Sequence, residues 1–110
     1  MATRQDIILE FAREVKRILG DNLSKVILYG SCARGDDTEN SDIDIMLLTS
    51  LADEEIENVE NEIFDLAFEF QMQHMLDISV VIKNEEQFNY WLGALPFYNN
   101  VQREGIVLNG

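Results

Sequence analysis

The sequence has few of the residues on which several classes of protein depend. Cys32 is the only cysteine in 110 residues, so an intrachain disulfide is impossible and a multi-cysteine zinc site is excluded. No apolar run approaches the roughly 20 residues that a membrane-spanning helix needs. The amino-terminal segment mixes Arg, Asp, Glu and Lys and lacks the apolar core of a signal peptide. We therefore expect a cytoplasmic protein in a reducing compartment, with no membrane partner.

Basic residues are also scarce. Eight lysines and arginines stand against 21 aspartates and glutamates, which gives a net charge of −13. Such a surface repels a phosphate backbone, so duplex nucleic acid is not an expected partner. Hydrophobic residues make up 46% of the chain, which is enough for the core of one compact domain over residues 1–110. Part of the negative charge could form a metal site, and most of it should be a solvated helix face.

Apolar residues at helical spacing predict two long helices, at residues 5–19 and 52–73. A capping box is predicted at the start of each helix: Thr3 with Asp6, and Ser50 with Asp53. Residues 88–92 are typical of a further short helix. Pro96 either breaks that helix or opens the next one. The polar residues 32–41 predict a short helical turn followed by a loop.

Three β-branched, apolar runs predict strands, at residues 26–29, 43–48 and 76–82. The polar residues 83–86 are expected to end the third strand. A last apolar triplet at residues 106–108 follows Gly105 and gives a weaker signal.

Asp42 and Asp44 alternate with the apolar residues at the start of the second strand. Side chains on a strand alternate faces, so both carboxylates point to one side, with Cα atoms roughly 6.6 Å apart. The apolar run that follows predicts a buried central strand, where two uncompensated carboxylates would cost several kcal/mol. Oxygen ligands of this kind suit Mg²⁺ or Mn²⁺ in a two-metal site, and Asp77 at the start of the third strand would complete the cluster. The alternative is an exposed edge strand with ordinary surface acids.

Gly30 and Ser31 lie where the first strand ends and a turn or helix begins. Free backbone N–H groups at such a position can face a phosphate, and glycine lets the phosphate approach closely. The Ser31 hydroxyl can add a donor, and Arg34 can place a guanidinium on the same oxygens. A plain glycine turn is the alternative.

The segment Gly30-Ser31-Cys32-Ala33-Arg34-Gly35, followed by Ser41-Asp42-Ile43-Asp44-Ile45, resembles the G-S-x-A-R-G and S-D-x-D signature of the polymerase β-like nucleotidyltransferases. The resemblance covers essentially the whole chain. It implies an α+β palm, in which a small mixed β-sheet packs with helices.

The same resemblance implies roles for individual residues. Asp42 and Asp44 would bind two Mg²⁺ ions, and Asp77 would bind the catalytic ion and help to activate the attacking hydroxyl. Gly30 and Ser31 would hold the β- and γ-phosphates of ATP or another nucleoside triphosphate, assisted by Arg34.

Among the short members of this family, the chain resembles the minimal nucleotidyltransferase (MNT) antitoxins, since the sequence shows no counterpart of the appended helical domain of larger members. This resemblance implies a hetero-oligomer with a HEPN-domain toxin and transfer of AMP to a tyrosine of that toxin. Two alternatives stay open. One is an antitoxin without catalysis that masks its partner sterically, and the other is an aminoglycoside-type enzyme with a small-molecule acceptor.

Other conspicuous residues have plainer interpretations. We interpret His74 as a surface or packing residue, Cys32 as a small packing residue, and the acids within residues 53–69 as a solvated face that could secondarily dock a basic partner. Four aromatic residues near the carboxyl terminus could pack in the core or form a stacking or partner-facing patch. We expect at least two of them in the core: Tyr90, Trp91, Phe97 and Tyr98.

Overall fold

A computed structural model describes residues 3–30, residue 33 and residues 42–108. The described part forms four helices and four strands: α1 (Arg4–Leu19), β1 (Leu23–Tyr29), β2 (Ile43–Thr49), α2 (Asp53–His74), β3 (Ile78–Asn84), α3 (Glu85–Trp91), α4 (Pro96–Glu104) and β4 (Ile106–Val107). A short 3₁₀ turn at Gly20–Asn22 joins α1 to β1. None of the described helices is both long and apolar enough to cross a membrane. The turn and loop predicted at residues 32–41 fall almost wholly outside the described residues.

The two long helices begin differently from one another. At α1 the predicted capping box is confirmed, because the Thr3 hydroxyl accepts from the Asp6 N–H and the Asp6 carboxylate accepts from the Thr3 N–H, both at 3.1 Å. At α2 the predicted box of Ser50 with Asp53 is wrong. The helix starts after Ala52, whose N–H donates to the Glu55 carboxylate at 3.2 Å. Ser50 instead donates its hydroxyl to the side chain of Asn22, which ties the start of α2 to the 3₁₀ turn.

The four strands form one sheet in the order β3-β2-β1-β4. β1 is antiparallel to both β2 and β4, whereas β2 and β3 are parallel. β2 therefore lies inside the sheet, as its apolar run predicted, and the mixed α+β architecture is confirmed. The alternative of an exposed edge strand is therefore wrong for β2.

The third strand is shifted toward the carboxyl terminus relative to its prediction. It begins at Ile78 and includes Lys83 and Asn84, which the sequence had assigned to its end. Pairing with β2 explains this, because Lys83 and Asn84 lie opposite Leu48 and Thr49 in the parallel register. Asn84 also caps α3, since its side-chain oxygen accepts from the Gln87 N–H at 3.0 Å. Strand pairing and capping thus outweigh the polar composition of this segment.

The carboxyl-terminal elements show what Pro96 and the apolar triplet at residues 106–108 form. Pro96 opens α4 at its first turn, where a missing N–H costs nothing. The final triplet contributes only two residues to β4, which pair with Ile27 and Leu28 of β1.

The two faces of the sheet are covered by different helices. On one face α1 and α2 pack over side chains such as Leu28, Ile45 and Leu47 in the larger core. On the other face, Phe88 of α3 and Val101 of α4 pack over Ile27 and Met46. The buried residues of α2 recur at the helical spacing from which this helix was predicted, and its acidic side chains are mostly exposed, as expected.

Candidate functional site at one edge of the sheet

Three chain segments meet at a single edge of the sheet. β1 runs toward this edge and is followed by Gly30, whereas β2 and β3 both start from it. Asp42 and Asp77 each directly precede a strand, and the first residues of those strands, Ile43 and Ile78, are register partners. The Ile43 N–H also donates to the Asp77 carbonyl at 2.9 Å, which extends the ladder to Asp77. The fold therefore brings Gly30, Asp42 and Asp77 together from distant parts of the sequence.

Asp44 is the second residue of β2 and lies two residues beyond Asp42. Its register partners are Tyr29 on β1 and Ser79 on β3, so these three side chains share one face of the sheet. This face is the one that α3 and α4 cover only in part. By strand alternation, Asp42 and Asp77 lie toward the same face, beyond the edge of that cover.

Gly30 and Asp44 are in close contact. Gly30 has a φ of +75°, and a Cβ built on it would collide with the Oδ2 atom of Asp44. Only glycine fits this position, because it tolerates the left-handed backbone and leaves room for the carboxylate. The backbone of Gly30 is thereby held beside the Asp44 carboxylate, at the end of β1.

The carboxylates keep access to solvent, since Asp42 and Asp77 are exposed and Asp44 is partly buried. Within the part of the chain that the structure describes, no three acidic, histidine or cysteine side chains converge closely enough to hold a metal ion. The backbone thus assembles the predicted aspartates at one edge without gathering their side chains into a ligand set. As donors they are anionic oxygens, which fit a hard divalent cation such as Mg²⁺.

Tyr29 connects the carboxylates to α4. Burial, and then the negative charge of Asp44, raise the pKa of the Tyr29 hydroxyl above its ordinary value. The ring packs edge-on against Phe97, with centroids 5.6 Å apart. Tyr29 is therefore neutral at physiological pH, and its hydroxyl can donate a hydrogen bond beside an acidic site.

The structure divides the carboxyl-terminal aromatic residues between two places. Phe97 lies against Tyr29 near the candidate site, whereas Tyr90 borders Ala52 and Asn84 at the opposite edge of the sheet. The expectation that at least two of the four are core residues is wrong, because only Tyr98 is partly buried in the smaller core. Tyr90, Trp91 and Phe97 are 77%, 47% and 45% exposed. The short helices α3 and α4 thus leave three of the four aromatic side chains exposed.

Two of the predicted phosphate-binding residues, Ser31 and Arg34, lie outside the described residues, as does Cys32. His74, which was interpreted as a surface or packing residue, is partly buried, and its ring contacts that of Phe70 with 5.7 Å between centroids. Sequence reasoning missed Tyr29 and Ser79 as neighbours of Asp44. Counting alternate residues forward from Asp77 would have found Ser79, but pairing of Tyr29 with Asp44 depends on the register of β1 against β2.

Comparisons with known proteins agree with this geometry. A model of the family described as "Polymerase beta, Nucleotidyltransferase" matches residues 13–108. A relative from Methanocaldococcus jannaschii, named putative protein adenylyltransferase MJ0604, is 36% identical over 101 residues. That alignment covers 92% of this chain and 93% of the relative.

Two solved structures share the fold. A crystal structure of a toxin–antitoxin complex with AMP-PNP contains a chain with a TM-score of 0.58 and 21% identity, over 98% of this chain and 74% of that one. A mutant MntA-HpeT toxin–antitoxin complex contains another, with a TM-score of 0.52 and 21% identity, over 89% and 72% of the two chains. At these identities the likeness concerns the fold.

Proposed function

Since this chain belongs to the polymerase beta nucleotidyltransferase family, we propose that it transfers AMP from ATP to a hydroxyl group of a partner protein. The observation that carries the proposal is the contact of Gly30 with Asp44 at the edge where Asp42 and Asp77 also lie. An open glycine backbone next to several carboxylates suits a triphosphate bound together with divalent cations. The similarity to a relative named as a protein adenylyltransferase supports AMP as the transferred group.

Nucleotidyltransferases generally use divalent metal ions, and the oxygen donors at this edge fit Mg²⁺, or Mn²⁺ with the same ligands. In our proposal Asp42 and Asp44 would hold two such ions, and Asp77 would bind the catalytic ion. When bound, the ions would offset the negative charge of the phosphates and of the acceptor oxygen. The solvent access of Asp42 and Asp77 leaves the edge open to both substrates.

The remaining residues of the site bind and orient the nucleotide. Gly30 offers its backbone to the β- and γ-phosphates, and we assign donors to the same oxygens from the Ser31 hydroxyl and the Arg34 guanidinium. Transfer forms a bond between the acceptor oxygen and the α-phosphorus, while the bond to the bridging oxygen breaks and pyrophosphate leaves. The hydroxyl proton passes to the Asp77 carboxylate or to water.

The proposed acceptor is a tyrosine of a HEPN-type toxin, for which this chain would be the antitoxin. The signature shared with the MNT antitoxins supports this assignment, as does the fold shared with chains of two toxin–antitoxin complexes. AMP on a tyrosine adds bulk and negative charge and removes the phenolic proton. Those changes would obstruct RNA at a ribonuclease site.

The test is to co-express the chain with the product of its neighbouring reading frame and to measure intact masses. We expect the partner to gain the mass of one or more AMP units with the wild type and none with Asp44→Asn. Asp21→Asn is the matched control, because Asp21 is an exposed aspartate in the 3₁₀ turn at the far end of β1. It should transfer AMP as the wild type does.

A growth assay separates catalysis from steric masking of the partner. If catalysis is the mechanism, Asp44→Asn should fail to protect cells that express the partner, while Asp21→Asn protects them. Full protection by Asp44→Asn, with no AMP on the partner in any sample, would contradict the proposal and favour an antitoxin that only masks its partner.

A further inference from the structure

Helix α2 carries a second apolar row besides the one that packs in the core. This outer row lies on the solvent side of the helix, and its members follow one another at spacings of four, four and three residues. They are Phe64, Phe68 and Met72 on the helix and Met75 at its C-cap, which are 43%, 60%, 68% and 92% exposed. Single exposed apolar side chains are ordinary, but four large ones in a row along one side of a helix and its C-cap are typical of an interaction site.

The outer row leads to the candidate site. Phe68, Met72 and Met75 line a cleft of about 500 Å³ that ends at Leu76 and Asp77. The Ile78 N–H donates to the side chain of Gln71 at 3.2 Å, which fastens the last turns of α2 to the start of β3. A protein segment lying on the outer row would therefore sit at a fixed position relative to Asp77.

The charges of α2 restrict what can occupy the row. Between Asp53 and His74 the helix has eight acidic residues and no lysine or arginine. Asp65 and Glu69 are exposed beside the outer row. Two copies of α2 placed against each other would bring like charges together, and nucleic acid or an anionic membrane would be repelled. An apolar segment flanked by basic side chains would pack against the apolar row and pair with the acidic side chains beside it.

We infer that the outer row of α2 docks an amphipathic helix of the partner protein, with apolar residues facing the row and lysine or arginine at its margins. A helix laid in such a groove uses apolar anchors spaced as the row is, and methionine side chains adapt to them readily. The inference rests on the proposed function for the partner's identity as the AMP acceptor. Docking on α2 brings that acceptor to the edge of the sheet at Asp77.

A labelled synthetic peptide tests the docking surface directly. The probe is an amphipathic helix with leucine at every third or fourth position and lysine elsewhere, and a second peptide has glutamate in place of lysine. By fluorescence anisotropy, we expect the lysine peptide to bind at least about tenfold more tightly than the glutamate peptide. Phe68→Ser combined with Met72→Ser should weaken its binding about tenfold. Tyr90→Ser is the matched control, because Tyr90 is 77% exposed on α3, and it should bind the peptide as the wild type does.

Transfer kinetics separate docking from nucleotide chemistry. With the co-expressed partner as substrate, the Phe68→Ser and Met72→Ser variant should raise KM for the partner while calorimetry gives an unchanged ATP affinity. Circular dichroism should give an unchanged fold, since both side chains are mostly exposed. Absence of AMP on the partner with every variant would count against the proposed function, whereas the peptide comparison would still measure docking.

Three outcomes would overturn the docking inference while leaving AMP transfer intact. One is equal affinity of the wild type for the lysine and glutamate peptides, or equal affinity of the wild type and the Phe68→Ser and Met72→Ser variant for the lysine peptide. Another is a wild-type dimer in sedimentation that Phe68→Ser dissociates, which would identify a second copy as the occupant. The third is binding to phosphatidylglycerol vesicles that Phe68→Ser abolishes, which would identify a membrane.

Discussion

The two faces of the sheet differ in how much apolar surface covers them. Helices α1 and α2 cover one face, and α3 and α4 cover the other. Among the described residues, nineteen buried side chains belong to the first core and five to the second. The difference follows from helix length, because α1 and α2 span 16 and 22 residues whereas α3 and α4 span 7 and 9. The first face therefore provides most of the stability, and the second leaves part of the sheet uncovered.

The charged residues at the start of β2 lie on the face that α3 and α4 cover only in part. Ile43 and Ile45 point into the larger core and are fully buried, whereas Asp42 and Asp44 alternate with them and retain solvent access. A carboxylate buried among the aliphatic side chains of the larger core would cost several kcal/mol. Strand alternation thus separates stability from chemistry within a single strand.

One substitution at the candidate site and one in the larger core give the largest expected effects. Asp42→Asn should lower AMP transfer by about 10²-fold or more, because a carboxylate ligand for the divalent ions is lost, with little change in stability. Ile63→Ala should lower the free energy of unfolding by about 2–5 kcal/mol, because it opens a cavity in the larger core. Urea unfolding and mass-detected transfer, measured on both variants, test this division. Loss of transfer in fully folded Ile63→Ala would show that the two faces are coupled.

Gly30→Ala should have an intermediate effect, since it strains the backbone where the thinly covered face begins. The added Cβ would collide with Asp44, so we expect a loss of stability of about 1–3 kcal/mol and weaker ATP binding. Gly20→Ala is the matched control, because Gly20 also has a positive φ of +59° but nothing lies within 4 Å of its added Cβ. Calorimetric ATP titration should distinguish the two. Equal ATP affinity in both variants would argue against the role of Gly30.

The smallest effect concerns Tyr29. Its pKa is raised by burial and by Asp44, so the neutral hydroxyl is favoured in the folded state. The resulting stability is fully present below the ordinary tyrosine pKa of 10.0 and is lost as pH rises through the folded value. Urea midpoints should therefore fall less above that pH for Tyr29→Phe than for the wild type. Asp44→Asn removes one of the two causes of the raised pKa, so its urea midpoint should fall by an amount between those of the wild type and Tyr29→Phe. Three identical pH profiles would contradict this account.

The sequence alone determined the features that depend on near neighbours along the chain. Helical spacing located α1 and α2, alternation put Asp42 and Asp44 on one side of β2, and the signature beginning at Gly30 identified the family. These patterns are local, because a helix face or a strand face repeats within a few residues. The errors in capping and at the end of β3 arose where a distant partner changed the outcome, such as Asn22 for Ser50 and β2 for Lys83.

Only the tertiary structure decided which residues meet across the sheet. The register of β1, β2 and β3 brings Tyr29, Asp44 and Ser79 side by side and carries Asp77 to the same edge. Strand order depends on contacts between segments far apart in the chain, which no local pattern specifies. Exposure of the outer row on α2 was equally undecided by sequence, because its spacing alone suits a core as well as a surface. The fold resolved it by turning the other side of the helix toward the sheet and leaving Phe68 in solvent.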